Sequence, residues 1–195
     1  MKMRLAVLNI SILIALCLNS CKKEDNAVHL PEIKYESVTD IDGNVYQTVI
    51  IGTQTWMAEN LRTTKYNDGT KIILINDSLE WQSCKSGAYS KYHNTVQPDS
   101  VKRLGFLYNW VAAKNINICP KGWHLPKESD WAILENYLKS NGYNYEGIKT
   151  GNTIAKALAS KDGWKSINSS SIIMISPAAA GSDVTSNNSS GFNGF

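Results

Sequence analysis

Strand-forming residues and turn signals alternate at the start of the globular region, which we place at residues 35–195. Two β-rich runs, Ser37–Thr39 and Val45–Ile51, flank Asp42-Gly43-Asn44. A strong turn signal between two such runs predicts a β-hairpin. After that hairpin, Gly52-Thr53-Gln54 predicts a second turn, which leads into a third strand. In this third strand Trp56 and Ala58 are the apolar positions that face the core.

The middle of the chain has a weaker pattern. Asn67-Asp68-Gly69 predicts a turn before a strand over residues 71–75. Residues 76–99 are polar and irregular, and they predict a long ordered loop. Residues 105–114 predict a short helix that carries three apolar side chains, Leu107, Trp110 and Val111.

Helical periodicity is clearest after Pro126. Residues 128–139 predict an amphipathic helix with apolar side chains at i, i+3 and i+7, namely Trp131, Leu134 and Leu138. A shorter helix is predicted over residues 153–160, with Asn152 as its cap and with Ile154, Ala155 and Leu158 facing inward. Farther on, the chain is rich in Ser, Asn and Gly apart from Ile172–Ile175.

The first twenty residues predict an export signal. Two cations in Met1–Arg4 precede the apolar run Leu5–Leu18, which is short for a membrane-spanning helix. The run ends in Leu18-Asn19-Ser20-Cys21, which resembles a bacterial lipobox. This resemblance implies that residues 1–20 are removed and that Cys21 becomes lipidated, with palmitate among the attached acyl chains. Residues 21–34 then form a polar tether. Several acyl chains on one residue give stable membrane anchoring.

The net charge of the chain limits which kinds of partner are expected. The 195-residue chain carries +3, and loss of the leader with its two cations lowers this to +1. A nearly neutral body gives no electrostatic reason to expect nucleic acid as a partner. Lys22-Lys23-Glu24-Asp25 resembles a signal that sends lipoproteins to the outer face of the bacterial outer membrane, and a solvated tether is the alternative. The expected location is the cell surface.

Several short motifs resemble the Fibrobacter succinogenes major paralogous domain. In chain order they are Asp42–Tyr46, Ile51–Leu61, Tyr66–Gly69, Gly87-Ala88-Tyr89, Leu107–Trp110 and Cys119–Pro126 with Trp131. Gly122–Pro126 followed by a Trp-bearing helix also resembles the C-type-lectin-like superfold, which formylglycine-generating enzymes use. The resemblance implies an α+β domain with irregular antiparallel sheets and two short helices.

Family members continue for several dozen residues past the region of Gly191 and Phe192, to a late cysteine. We therefore expect a domain that is incomplete at its C-terminus. The resemblance gives that absent cysteine as the natural partner of Cys119. A Cys84–Cys119 disulfide is the alternative in an oxidising compartment, and it needs a Cα separation of about 4.4–6.8 Å.

Candidate chemistry is sparse. Asp40–Asn44 has the first ligand spacing of a calcium loop, but a strand follows where further ligands are needed, so a turn explains it better. His124, Glu128 and Asp130 form the densest group of metal-ligand types, yet Pro126 interrupts their helical spacing. We expect both acids to stabilise a helix N-terminus, and we predict neither metal nor cofactor.

The six Trp and nine Tyr residues are the remaining signal. Such side chains stack on sugar rings or anchor protein interfaces. We predict ligand binding by three in the irregular loop, Trp81, Tyr89 and Tyr92, with local packing as the alternative. Four others lie in regular elements and are predicted to be core: Trp56, Trp110, Trp123 and Trp131.

These observations lead to three hypotheses. The first is a lipid-anchored, surface-exposed binding or structural module of a bacterial envelope, without catalysis, whose partner is a polysaccharide or an envelope protein. The second is an enzyme on a formylglycine-generating-enzyme-like fold. The third is a truncated, non-functional paralogue.

Overall fold

The computed structural model describes residues 29–147, 151–164 and 176–194. The lipidation residue Cys21, the leader and the apolar run Ile172–Ile175 lie outside these ranges. The described strands are β1 (Lys34–Thr39), β2 (Val45–Ile51), β3 (Gln54–Met57), β4 (Ile73–Leu74), β5 (Ala88–Lys91) and β6 (Phe106–Tyr108). The described α-helices are α1 (Ser78–Ser83), α2 (Pro98–Leu104), α3 (Trp110–Ala113), α4 (Glu128–Ser140) and α5 (Ala155–Leu158).

The first sheet is an antiparallel meander in the order β1-β2-β3, which confirms the predicted hairpin and third strand. Its first turn depends on Asp40, whose Oδ1 accepts hydrogen bonds from the backbone N–H groups of Asp42 and Asn44, each at 2.9 Å. Gly43 has a φ of +82°, a backbone conformation that glycine adopts without strain. Turn chemistry therefore accounts for the whole Asp40–Asn44 motif.

One apolar cluster, the first core, joins this sheet to α4 and α5. Alternate side chains of a strand point to opposite faces, so Val49 and Ile51 of β2 face the same side of the sheet. They pack against Leu134 and Leu138, which are buried on α4 as the helical periodicity predicts. Trp56 and Ala58 complete the sheet's contribution, as expected.

A second apolar cluster, the second core, lies under the other sheet. In that sheet β5 is central, parallel to β4 and antiparallel to β6. The buried members of the second core are Tyr66, Ile72, Tyr89, Ala112, Ile118 and Cys119. The molecule thus combines two small sheets with separate helices, which is the α+β class expected from the sequence.

Residues 76–99 are not the irregular loop that we predicted. They contain α1, β5, a 3₁₀ turn (Tyr92–Asn94) and the start of α2. Helix α1 begins because Asp77 caps it, with its carboxylate accepting the N–H groups of Leu79 and Glu80 at 2.9 Å. Helix α2 begins at Pro98, whose fixed φ suits a first helical turn.

The helix predicted over residues 105–114 is wrong in its first half. Gly105 has a φ of +64° and ends α2, and an added Cβ there would lie 2.6 Å from Asn60 Cβ. The chain then forms β6, and α3 starts only after Asn109, whose side chain accepts the Ala112 N–H at 2.9 Å. Trp110 is 72% exposed, so its assignment to the core is also wrong.

The last predicted helix is shorter than expected. Helix α5 has Ile154 rather than Asn152 at its N-cap position. Ala155 is exposed, whereas Lys156 is buried and donates from Nζ to Asp183 O at 2.7 Å and to Ser186 Oγ at 2.8 Å. A lysine can be buried when its ammonium group is hydrogen bonded. Within the described ranges no helix has the length and apolar character that crossing a membrane requires.

Candidate functional site

A cleft of about 800 Å³ lies beside the first sheet and opens to solvent. One side is formed by β1, β2 and β3, and the other by the segment Gly122–Pro126 and the first turn of α4. Trp56 and Phe192 bring the first core to this cleft, whereas Cys119 and Trp123 bring the second core. The cleft therefore lies where the two cores meet.

Three aromatic side chains form one wall, which we call the aromatic wall. The ring centroid of Trp56 lies 4.8 Å from that of Trp131 and 5.6 Å from that of Phe192. Trp131 and Phe192 are 6.0 Å apart. Trp131 is 45% exposed although Trp56 is buried, so the wall presents one tryptophan face to solvent above a packed base. Trp131 is therefore core only in part, because its ring contacts that of buried Trp56 but the side chain stays exposed.

Hydrogen bonds through Gln54 fix this wall to the fold. Its Oε1 accepts from Trp56 Nε1 at 3.3 Å, and its Nε2 donates to the backbone O of Asp130 at 3.1 Å. The same side chain thus links β3 to the first turn of α4. Because Trp131 follows Asp130 directly, the link positions both tryptophans relative to each other.

The polar rim of the cleft contains a histidine–carboxylate pair. His124 Nε2 lies 3.0 Å from Asp130 Oδ2, and the same carboxylate oxygen accepts the backbone N–H of Lys127 at 2.8 Å. The Lys127 hydrogen bond, followed by the one to His124, lowers the pKa of Asp130. The acid therefore stabilises the start of α4 as predicted, and it also holds an exposed imidazole beside the aromatic wall.

Two more carboxylates line the cleft. Glu59 pairs with Arg62 at 3.0 Å, and Glu36 lies on β1. Glu128, the third member of the candidate metal group, is exposed, and within the described parts of the chain no three His, Cys, Asp or Glu side chains are arranged to hold a metal ion. The geometry supplies hydrogen-bond acceptors beside apolar surface.

The aromatic residues predicted to bind ligand do not form one surface loop. Tyr89 lies on β5 and is buried, with its ring 4.7 Å from that of Phe106, so its placement in an irregular loop is wrong. Trp81 is half-buried on α1. Tyr92 is exposed in the 3₁₀ turn, with its ring 4.2 Å from that of His93. None of the three lines the cleft described above.

Both described cysteines are free thiols, so the structure contains no Cys84–Cys119 disulfide. Cys84 is half-buried, and its Sγ lies 3.2 Å from Ser86 O. Cys119 is buried in the second core, and burial raises the pKa of its thiol. A buried thiol with a raised pKa behaves as a small apolar group and is a poor nucleophile.

The cleft could not be predicted from the sequence because its parts are far apart along the chain. Trp56, Trp131 and Phe192 come from β3, from α4 and from a segment that follows α5 in the chain. The available signal was Gly122–Pro126 directly before a Trp-bearing helix, a motif that we noted for its resemblance and not for its position.

Most of the chain matches a known protein family. The model of the Fibrobacter succinogenes major domain family matches residues 49–195, which is most of the sequence. The chain belongs to this family, as its motifs indicate. No curated protein and no solved structure matches it. The relationship to the C-type-lectin-like superfold stays a prediction.

Proposed function

We propose that the protein is a lipid-anchored, surface-exposed binding module of a bacterial envelope that acts without catalysis. The cleft is its binding site, and a polysaccharide or an envelope protein is its partner. The observation that carries this proposal is the half-exposed face of Trp131 above buried Trp56, at the rim of an 800 Å³ cleft. A large aromatic surface that is fixed before binding loses little conformational freedom when it binds.

Two further features support the proposal. The carboxylates and the imidazole at the rim supply polar contacts that orient a ligand, and binding sites commonly combine a few such groups with apolar walls. The lipobox that ends in Cys21, followed by a polar tether, suits a domain that is held near a membrane by acyl chains.

The binding site is tested with purified full-length protein in which Cys21→Ser prevents lipidation. Retention is measured on two probes, washed outer-membrane fragments and insoluble cell-wall polysaccharide. We expect Trp131→Ala to weaken retention by about tenfold or more, since a large aromatic side chain in contact with a ligand is a typical hot spot. The matched control is Trp110→Ala, which removes a tryptophan that is 72% exposed outside the cleft. Equal retention of both variants would refute the assignment of the site.

The anchor is tested in cells that are fed a palmitate analogue. The wild-type chain should become labelled and fractionate with the outer membrane, whereas Cys21→Ser should lose the label. Labelling of the Cys21→Ser chain would contradict the proposed attachment.

A further inference from the structure

The free edge of the first sheet has a defined hydrogen-bonding pattern. Among the described strands, β3 lies at the edge of the first sheet, because the sheet order is β1-β2-β3. The backbone N–H of Ala58 donates to Gln47 O at 2.9 Å, and these residues continue the register Thr48↔Met57. In an antiparallel pair, positions that bond across the strands alternate with positions whose polar groups face away. Thr55 and Met57 therefore turn their N–H and C=O groups away from β2.

These outward groups have no partner among the residues that the structure describes. Within the described residues, neither the backbone N–H nor the backbone C=O of Thr55 or Met57 forms a hydrogen bond. Thr55 is exposed and Met57 is half-buried. An exposed strand edge of this kind is a template for pairing with another strand.

The open edge lies within the cleft. Thr55 and Met57 line it from one face of β3, and Trp56 lines it from the other. A strand paired with β3 would place alternate side chains on these two faces. The side chains on the Trp56 face would contact the aromatic wall. Those on the opposite face would lie beside Met57, whose cross-strand neighbours on that face are Thr48 of β2 and then Glu36 of β1.

The charge of the lining indicates the composition of such a strand. The described lining residues include three carboxylates, Glu36, Glu59 and Asp130, and neither Lys nor Arg. Glu59 is paired with Arg62, and Asp130 with His124. Among the described residues Glu36 has no ion-pair partner, so the cleft favours a cationic over an anionic side chain beside β1.

We propose that the cleft binds an extended polypeptide segment of a partner protein, which adds to β3 as a fourth strand at Thr55 and Met57 and carries alternating apolar and basic residues. This inference rests on the proposed function and names the partner as a protein. Backbone hydrogen bonds would supply affinity, and the aromatic wall would supply specificity, as in other complexes formed by strand addition. A polysaccharide lacks the alternating backbone N–H and C=O groups that pair with a strand edge.

The experiment selects peptides from a phage-displayed random library on the Cys21→Ser protein and measures binding of the synthesised winners. We expect alternating apolar and basic sequences. Methylation of a single peptide amide that pairs with β3 should weaken binding by about tenfold, whereas methylation of the neighbouring amide should not. Thr55→Pro removes an N–H that faces away from β2, and it should weaken binding similarly.

The matched control is Thr39→Pro, which removes an outward N–H from the other edge strand, β1, outside the cleft. It should bind like the parent protein, and circular dichroism of both proline variants should show the parent fold. Failure to select any peptide, or winners insensitive to amide methylation, would overturn strand addition. Strand addition would also be overturned if Trp131→Ala abolished retention on cell-wall polysaccharide and Thr55→Pro left that retention unchanged. This result would leave the proposed site in place. If neither Trp131→Ala nor Thr55→Pro reduces retention, the proposed function itself is refuted.

Discussion

The hydroxyl group of Tyr46 offers a sharp test of how the first sheet is held to the segment after it. Tyr46 is fully buried on β2. Its hydroxyl donates to Asp40 Oδ2 at 2.5 Å and accepts the backbone N–H of Arg62 at 3.1 Å. Burial, followed by the hydrogen bond to Asp40, raises the pKa of the phenol, so it remains a donor at neutral pH. Tyr46→Phe removes only this oxygen.

The expected loss follows from the two hydrogen bonds. A hydrogen bond to a charged group contributes about 1.5–3 kcal/mol, and a buried N–H left without a partner costs about 1–3 kcal/mol. These costs overlap because the site can relax, so we expect Tyr46→Phe to lower the free energy of unfolding by about 2–4 kcal/mol. The Arg62 guanidinium, 4.3 Å from the ring centroid, keeps its contact with the aromatic face in the variant.

Urea unfolding of the Cys21→Ser protein, followed by circular dichroism, measures this difference. The matched control is Tyr92→Phe, which removes the hydroxyl of an exposed tyrosine and should change the free energy by less than about 0.5 kcal/mol. If Tyr46→Phe were as mild as the control, the hydroxyl would not be the link between Asp40 and Arg62 that the geometry indicates.

Two further predictions concern the core and the response to acid. Leu138→Ala should lower the free energy of unfolding by about 2–5 kcal/mol because Leu138 is fully buried on α4. Ile133→Ala, on the exposed side of that helix, should lower it by less than about 1 kcal/mol. Urea unfolding distinguishes the two variants. For Asp42, burial favours the neutral acid, but hydrogen bonds from Thr64 and the charge of Lys65 outweigh it and lower the pKa below its ordinary value of 3.8. The stabilisation by this carboxylate is therefore complete above that value and is lost as the pH falls through the lowered pKa, so Asp42→Asn should be destabilising at pH 7 and nearly neutral at pH 2. A destabilisation independent of pH would contradict this.

The parts of the fold that the sequence predicts are those with a local physical cause. The hairpin around Gly43 follows from turn chemistry, and α4 follows from apolar spacing that buries Leu134 and Leu138. Asp130 has the predicted role at the start of α4 because a carboxylate there needs only a neighbouring backbone N–H.

Long-range contacts decide the rest. Tyr89 looks like a loop residue in sequence, but it forms part of a strand because β4 and β6 pair on either side of it. Trp110 looks like core on a helical pattern, but the strand β6 takes up the first half of that pattern and α3 begins at Trp110 itself. The cleft depends on Phe192 reaching Trp56, a contact that no local pattern encodes.

The division of the apolar interior into two cores has a consequence for cooperativity. The segment from Leu61 to Thr64 lies between them and is hydrogen bonded to both sides. Leu61 O accepts from the Phe106 N–H of β6 at 2.9 Å, and the Thr64 N–H donates to the Asp42 carboxylate, in the first turn of the first sheet, at 2.5 Å. If this junction loosens, each half can open with its own free energy, as subglobal units do in native-state hydrogen exchange. A molecule that spans Trp56 and Trp123 would bind only while both halves are closed, so occupancy would merge their separate openings into one transition.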